Sequence, residues 1–175
     1  MISLKILTDI AVIGGYDRVD YEQDSMLKDV EVIAILNDSV SYVNKTIPPL
    51  PHRMDSLRGA QLSNGNLILC GGRRAFNHEM NNQYLLFQDG SSQWNKIGKM
   101  KEPRFDHSSV FMDGRLFTCG GWTSADITTS HHEAFSLDAG VNKKKEMPEA
   151  LRGHSASKIG QHKMLICGGL DDDVI

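Results

Sequence analysis

Short apolar runs alternate with polar turns along the whole chain, and no segment sustains the 3.6-residue period of an amphipathic helix. The clearest stretch is His107–Leu137. "HSSVFM" (His107 to Met112) is rich in strand formers, and Asp113-Gly114 follows it. Asp-Gly between two apolar runs is a strong hairpin signal. "RLFTC" (Arg115 to Cys119) is then the return strand, ended by Gly120 and Gly121 with Trp122 next. After a polar loop, "HEAFSL" (His132 to Leu137) alternates as a third strand, and "VNKKKEM" (Val141 to Met147) reads as a fourth, stopped by Pro148. The pattern predicts four short antiparallel strands in fewer than fifty residues.

The plan recurs. An apolar run followed by two glycines appears as "IAVIGG", "LILCGG", "LFTCGG" and "MLICGG", with the pairs at Gly14-Gly15, Gly71-Gly72, Gly120-Gly121 and Gly168-Gly169. The intervals are roughly 57, 49 and 48 residues, the signature of a repeat architecture with one supersecondary unit per period. In the second unit "GAQLS" turns at Asn64–Asn66 into "LILCGG", and Gln83 to Gln88 and Trp94 to Met100 supply strands three and four. The first unit pairs "ISLKIL" with "IAVIGG", then carries a longer acidic loop before Val30 to Leu36 and Tyr42 to Ile47. The fourth begins with "GHSASKI" and "MLICGG" and runs on to "LDDDVI". Fourth strands share "VNK" at Val43, "WNK" at Trp94 and "VNK" at Val141. The expected organisation is one domain over 1–175, with units at approximately 1–50, 51–103, 104–148 and 149–175, the last a half unit. A glycine pair at the end of a second strand lets the chain leave with positive φ and lets a neighbouring backbone approach closely. A phosphate-binding loop would instead open a helix with a lysine partner, and none follows these pairs.

These residues resemble the Kelch repeat. "RFDHSSVFMDGRLFTCGGW" and "QWNKIGKM" carry its basic residue and histidine before the first strand, its Gly-Gly pair, and the aromatic, here Trp94, that starts the fourth strand. The resemblance implies an all-β fold: a Kelch-type β-propeller, incomplete, with four-stranded antiparallel blades in an open arc. There are departures. Val43 and Val141 stand at the Trp position of two repeats, and Ala60 is the apparent counterpart of His107 and His154. The residue after the glycine pair varies: Tyr16, Arg73, Trp122, Leu170.

Composition narrows the function. At 40% hydrophobic and 23% charged, the 175 residues are ordinary for a globular protein, and a net charge of −3 gives no reason to expect nucleic acid as a partner. No apolar stretch approaches the roughly 18 residues of a membrane span, and the N-terminus does not read as a signal peptide. Cys70, Cys119 and Cys167 each precede a glycine pair. Three repeat-equivalent thiols make a poor disulfide framework and point to reduced, buried residues and a cytoplasmic location. His131 and His132 are adjacent on a strand and face opposite sides, so no metal site is expected. No catalytic constellation and no cofactor motif stands out.

What is left is surface. In the family the loops between strands two and three, and those between blades, share a face that binds protein ligands. Here these are Tyr16 to Asp29, Arg73 to Asn82 and Trp122 to Ser130, with His52, Arg53, Arg58, Arg104, Asp106 and Arg152 between blades. Arginine and aromatic side chains make favoured anchors, so Arg73, Arg74, Arg104, Arg58 and Trp122 are the candidate binding residues. For Arg104 and Arg152 the alternative role is to brace neighbouring blades. The resemblance implies a protein-interaction module, as in substrate-recruiting ubiquitin ligase adaptors or cytoskeletal scaffolds. An N-terminal BTB domain in a longer protein would mark the adaptor. The alternative is part of a propeller enzyme such as a copper radical oxidase or a sugar epimerase. The half unit also leads to the expectation of a fragment of a longer Kelch protein, able to self-associate through open blade faces.

Overall fold

The computed structural model describes residues 2–6, 9–16, 26–36, 39–42, 47–74, 79–124, 127–143 and 146–171. All regular structure among them is strand. The first blade comprises β1 (Ile2–Ile6), β2 (Asp9–Tyr16), β3 (Met26–Leu36) and β4 (Ser39–Tyr42). Between blades lies β5 (Met54–Asp55). The second blade comprises β6 (Arg58–Gln61), β7 (Leu67–Cys70), β9 (Gln83–Phe87) and β10 (Asn95–Lys99), with β8 (Arg73–Arg74) after its glycine pair. A second short strand, β11 (Arg104–Phe105), precedes the third blade. That blade comprises β12 (Ser108–Met112), β13 (Arg115–Cys119), β15 (His132–Ser136) and β16 (Gly140–Lys143), with β14 (Trp122–Thr123) after the glycines. The fourth unit pairs β17 (Ser155–Ile159) with β18 (Lys163–Cys167).

Each four-stranded sheet is antiparallel in simple sequential order. Asp113 and Gly114 both have positive φ, the geometry of a two-residue type I′ hairpin turn. The first strands lie side by side: β6 contacts β1 and β12, and β12 contacts β17. Blades thus stand face to face around a common axis, as radial stacking demands. Two cores result. Blades one and two enclose Ala11, Ile13, Val32, Leu69, Leu85, Phe87 and Trp94. Blades two and three enclose Ile68, Cys70, Tyr84, Leu86, Leu116 and Phe135, with Tyr84 and Phe135 stacked at 4.2 Å.

The glycine pairs are the junctions between blades. Gly71 and Gly72 have φ of 63° and 89°. A Cβ on Gly71 would lie 2.6 Å from the carbonyl oxygen of Arg104 in the next blade, and one on Gly72 would lie 2.6 Å from that of Asp55 in its own. The Gly72 N–H donates to the Arg104 carbonyl, and the Gly121 N–H donates to that of Leu151, both at 2.8 Å. Met54, Arg104 and Leu151 are therefore equivalent positions, as are Leu57, His107 and His154.

Several expectations are corrected. Leu57, not Ala60, is the counterpart of the histidines: a Cβ on Gly72 would meet Leu57 as one on Gly121 would meet His107, and the second hairpin is one residue longer than the third. β3 begins at Met26, and Tyr16 pairs with it, so the first loop is shorter than Tyr16 to Asp29. Tyr42 pairs with Ile33 as Val141 pairs with Phe135, so Tyr42, rather than Val43, takes the Trp94 position; Val43 itself lies outside the described residues. Cys70 and Cys119 are free and buried, but Cys167 is exposed, since no further sheet covers β17 and β18 among the described residues.

Candidate protein-interaction face

At the end of the blades opposite the Asp113-Gly114 turn, each inter-blade segment pairs with the residues that follow its own blade's glycine pair. β5 pairs with β8, matching Asp55 with Arg73 and Met54 with Arg74. β11 pairs with β14, matching Phe105 with Trp122. Arg152 bridges Leu170 in the same way. Arg73 and Arg74, expected in the loop after the second strand, therefore form a short strand of their own. Tight turns position these pairs: Ser56, Asp106 and Gly153 occupy one equivalent position with φ of 49°, 51° and 65°. The Asp106 carbonyl accepts from Gly153 N–H at 2.8 Å, which ties consecutive turns together.

The paired residues also touch across the blade junctions. Arg73 donates through Nε and Nη2 to both carboxylate oxygens of Asp55, at 3.1 and 2.7 Å. Its guanidinium lies 4.5 Å above the Phe105 ring of the next blade. Trp122, paired with Phe105, lies beneath the guanidinium of Arg152 in the following blade at 4.8 Å. The two junctions use the same contact with the roles exchanged. At one, the residue after the glycines supplies the cation; at the other, it supplies the ring. A ladder runs Asp55–Arg73–Phe105–Trp122–Arg152–Leu170 across three units. Each cation–π contact contributes about 0.5–1 kcal/mol at such sites. Asp55 is buried, Leu170 is exposed, and the four residues between them are half-buried. The ladder is thus a fixed surface of planar groups with area left for a partner.

The other candidates divide. Arg74 is half-buried beside the ladder, 3.5 Å from Glu79. Arg58 is not an inter-blade loop residue: it lies on β6, pairs with Cys70 and donates to the Leu57 carbonyl at 3.0 Å. Arg104 is fully buried. It donates to the carbonyls of Gly120 and His131 at 2.8 and 3.0 Å and to the Glu133 carboxylate at 3.2 Å. Glu133 also accepts from Lys101 N–H at 3.0 Å. Arg104 therefore braces the second junction and presents no surface. Arg152 is equivalent to Phe105, not to Arg104, so the two arginines do different work.

Beneath the ladder the junctions are closed by neutral polar contacts. His107 Nε2 lies 3.5 Å from Cys70 Sγ, and His154 Nε2 lies 2.8 Å from Ser108 Oγ. Burial, reinforced by the charges of Arg104 and Arg58, holds His107 well below the usual histidine range; burial and Arg58 lower His154. Burial pushes the Cys70 thiol up to about 12 and the Cys119 thiol to about 11. These are packing groups with little nucleophilic character. No cluster of three or more metal-ligating side chains occurs among the described residues, and no helix there is long and apolar enough to cross a membrane.

Trp122, Arg73 and Arg152 stood out in the sequence, whereas Asp55 and Phe105 did not. The residue two before each histidine position pairs with the residue after the glycines, and aligning the repeats on Leu57, His107 and His154 would have exposed that row.

No family model matches the chain. Its sequence is 26% identical over 167 residues to the Kelch repeat and BTB domain-containing protein 1 of cowpox virus (strain GRI-90) and of vaccinia virus (strain Copenhagen). The same identity holds for Kelch repeat and BTB domain-containing protein A55 of vaccinia virus (strain Western Reserve). Each match covers 95% of this chain and 28% of the relative. The solved structure of YjhT superposes with a TM-score of 0.76 at 15% identity, covering 95% of this chain and 58% of that one. The repeat signature, the blade geometry and these likenesses identify the chain as a run of Kelch-type β-propeller blades.

Proposed function

We propose that the chain is a protein-interaction module whose loop face docks a protein partner, without chemistry of its own. The half-exposed ladder of Arg73, Phe105, Trp122 and Arg152 carries this reading. Rings and guanidinium groups held rigid by their neighbours lose little entropy on binding, and such residues dominate interface energetics. Arg74 flanks the ladder and supplies a further cation at its edge. Arg58 lies closer to the axis and tunes the buried histidines. The names of the viral relatives couple Kelch repeats to a BTB domain, which favours substrate recruitment within a ubiquitin ligase, in the cytoplasm, over a cytoskeletal scaffold. The buried, high-pKa thiols Cys70 and Cys119 make a poor centre for a copper radical enzyme.

The test is affinity capture from cell lysate with quantitative comparison of variants. Trp122→Ala combined with Arg152→Ala should lose specific partners by about tenfold or more, as expected when anchors worth about 1–2 kcal/mol each are removed. Arg115→Ala, at the hairpin end, should retain them. Partners retained by the ladder variant and lost by Arg115→Ala would overturn the assignment.

A further inference from the structure

Beside the ladder, two cations of the second blade converge on one neutral oxygen. With its amide oriented to suit its neighbours, Gln83 accepts from Lys96 Nζ at 2.9 Å and from Arg74 Nη2 at 3.0 Å. Strand pairing builds this place. Gln83 opens β9, Lys96 lies on β10 opposite Leu85, and Arg74 pairs with Met54 of the inter-blade segment. The Arg74 Nε has no acceptor among the described residues. The carboxylate that answers these cations is Glu79, 3.5 Å from Arg74 and 57% exposed. His52, exposed on the inter-blade segment, senses all three groups. Burial, then the charges of Arg74 and Lys96, lower its pKa, and Glu79 opposes them.

The third blade fills the same place differently. Leu85 pairs with Leu69 as Glu133 pairs with Thr118, so Gln83 and His131 are equivalent. Met100 N–H donates to the Asn82 carbonyl as Met147 N–H donates to that of Ser130, which makes Lys99 and Glu146 equivalent. Since Met54 matches Arg104, His52 matches Glu102. In the third blade His131 meets both carboxylates, Glu102 at 3.3 Å and Glu146 at 3.1 Å. In the second blade His52 and Lys99 stand at those two positions, and the amide between them gathers cations instead. Two negative charges that the fold carries in one blade are missing from the other.

We infer that Arg74, Lys96 and His52 form a binding site for a phosphorylated side chain of the partner protein. Charge selects the ligand. A single carboxylate would only repeat Glu79, whereas a phosphomonoester carries a charge of about −1.5 to −2 at pH 7 and three acceptor oxygens. Those oxygens match the Arg74 and Lys96 donors and a third from His52 once it is charged. Arg74 follows Arg73 of the ladder in β8, so a polypeptide lying on the ladder reaches the site. The inference takes its partner from the loop-face reading, but the site itself is tested with small probes that need no ladder.

The test uses the whole chain and four probes: acetyl-Gly-phosphoserine-Gly-amide, its unphosphorylated form, the same peptide with Asp in place of phosphoserine, and inorganic phosphate. NMR follows the His52 ring protons and the Gln83 side-chain amide. The phosphopeptide should shift both saturably, the Asp peptide should bind about tenfold more weakly, and the serine peptide should not bind. Arg74→Gln and Lys96→Gln should each weaken the phosphopeptide by about tenfold, the scale of one charge-assisted contact. Gln83→Glu should do the same by supplying the missing anion from within. Lys143→Gln, at the Lys96 position of the third blade, should change nothing. Bound phosphate should raise the His52 titration midpoint, so the phosphopeptide should tighten as pH falls from about 7.5 to 6.5, and His52→Gln should remove that gain. The ladder variant Trp122→Ala/Arg152→Ala should leave probe binding unchanged, so failure of the ladder and failure of this site are read apart. Absence of saturable shifts, equal binding of the Asp peptide and the phosphopeptide, or binding that persists in a folded Gln83→Glu chain would overturn the site. Inorganic phosphate binding about tenfold more tightly than the phosphopeptide would overturn the polypeptide source.

Discussion

Glu133→Gln should destabilise the protein severely although it changes a single atom type. Arg104 is fully buried and Glu133 is 2% exposed. The guanidinium has two backbone acceptors, and Glu133 supplies the buried carboxylate opposite it. The other nearby carboxylate, Glu102, is 3.6 Å away and 41% exposed. Neutralising Glu133 leaves a buried cation without close compensation, which costs about 3–5 kcal/mol. Arg104→Met should cost a similar amount by stranding the carboxylate. The repeats contain their own repair. Met54 occupies the Arg104 position of the second blade and Leu85 the Glu133 position, both within the first apolar core. The double variant Arg104→Met/Glu133→Leu should therefore recover most of the loss, since replacing a buried ion pair by packed apolar groups is often neutral or stabilising. Thermal and urea unfolding of the two singles and the double give the coupling energy directly. At about 2–4 °C per kcal/mol for a chain of this size, each single variant should melt roughly 6–20 °C lower. Single variants costing under about 1 kcal/mol, or a double variant as unstable as the sum of the singles, would refute the reasoning.

Two further predictions concern titratable groups. His107 and His154 are held neutral below their unfolded pKa, so the unfolded chain binds the extra protons; stability should be full above about pH 6.5 and fall as pH drops through that value, by up to about 1.4 kcal/mol per pH unit for each histidine. His107→Leu, which copies Leu57, should flatten the decline measured by urea unfolding between about pH 7 and 5, and an unchanged slope would contradict the assignment. Thiol titration of the native chain should show one fast-reacting group, Cys167, with Cys70 and Cys119 reacting only after denaturation; three fast thiols would contradict the burial of the junctions.

Much of the fold is legible because its signals are local. Asp113-Gly114 specifies its turn through backbone conformation, and the glycine pairs at the junctions mark places where a Cβ would strike a neighbouring carbonyl. Strand positions in the second and third blades follow from those two signals. Registers across insertions are harder. The Leu57 position shows itself only through its contact with Gly72, because it carries no histidine and the hairpin after it has one extra residue, and one residue's shift separated Tyr42 from Val43. The roles of individual arginines were least legible. Arg104, Arg73 and Arg152 sit in similar polar contexts, yet one is buried on Glu133, one stacks on Phe105 and one covers Trp122. Those differences arise from contacts between residues far apart in the chain, which no local pattern encodes.

The most direct test of the loop-face account is amide hydrogen exchange on the chain alone and in complex with a captured partner. The account predicts new protection concentrated at Met54–Asp55, Arg73–Arg74, Arg104–Phe105, Trp122–Thr123 and around Arg152, with the hairpin turns at Asn64–Asn66 and Asp113-Gly114 unchanged. Protection confined to those turns, with the ladder segments exchanging as in the free chain, would contradict it.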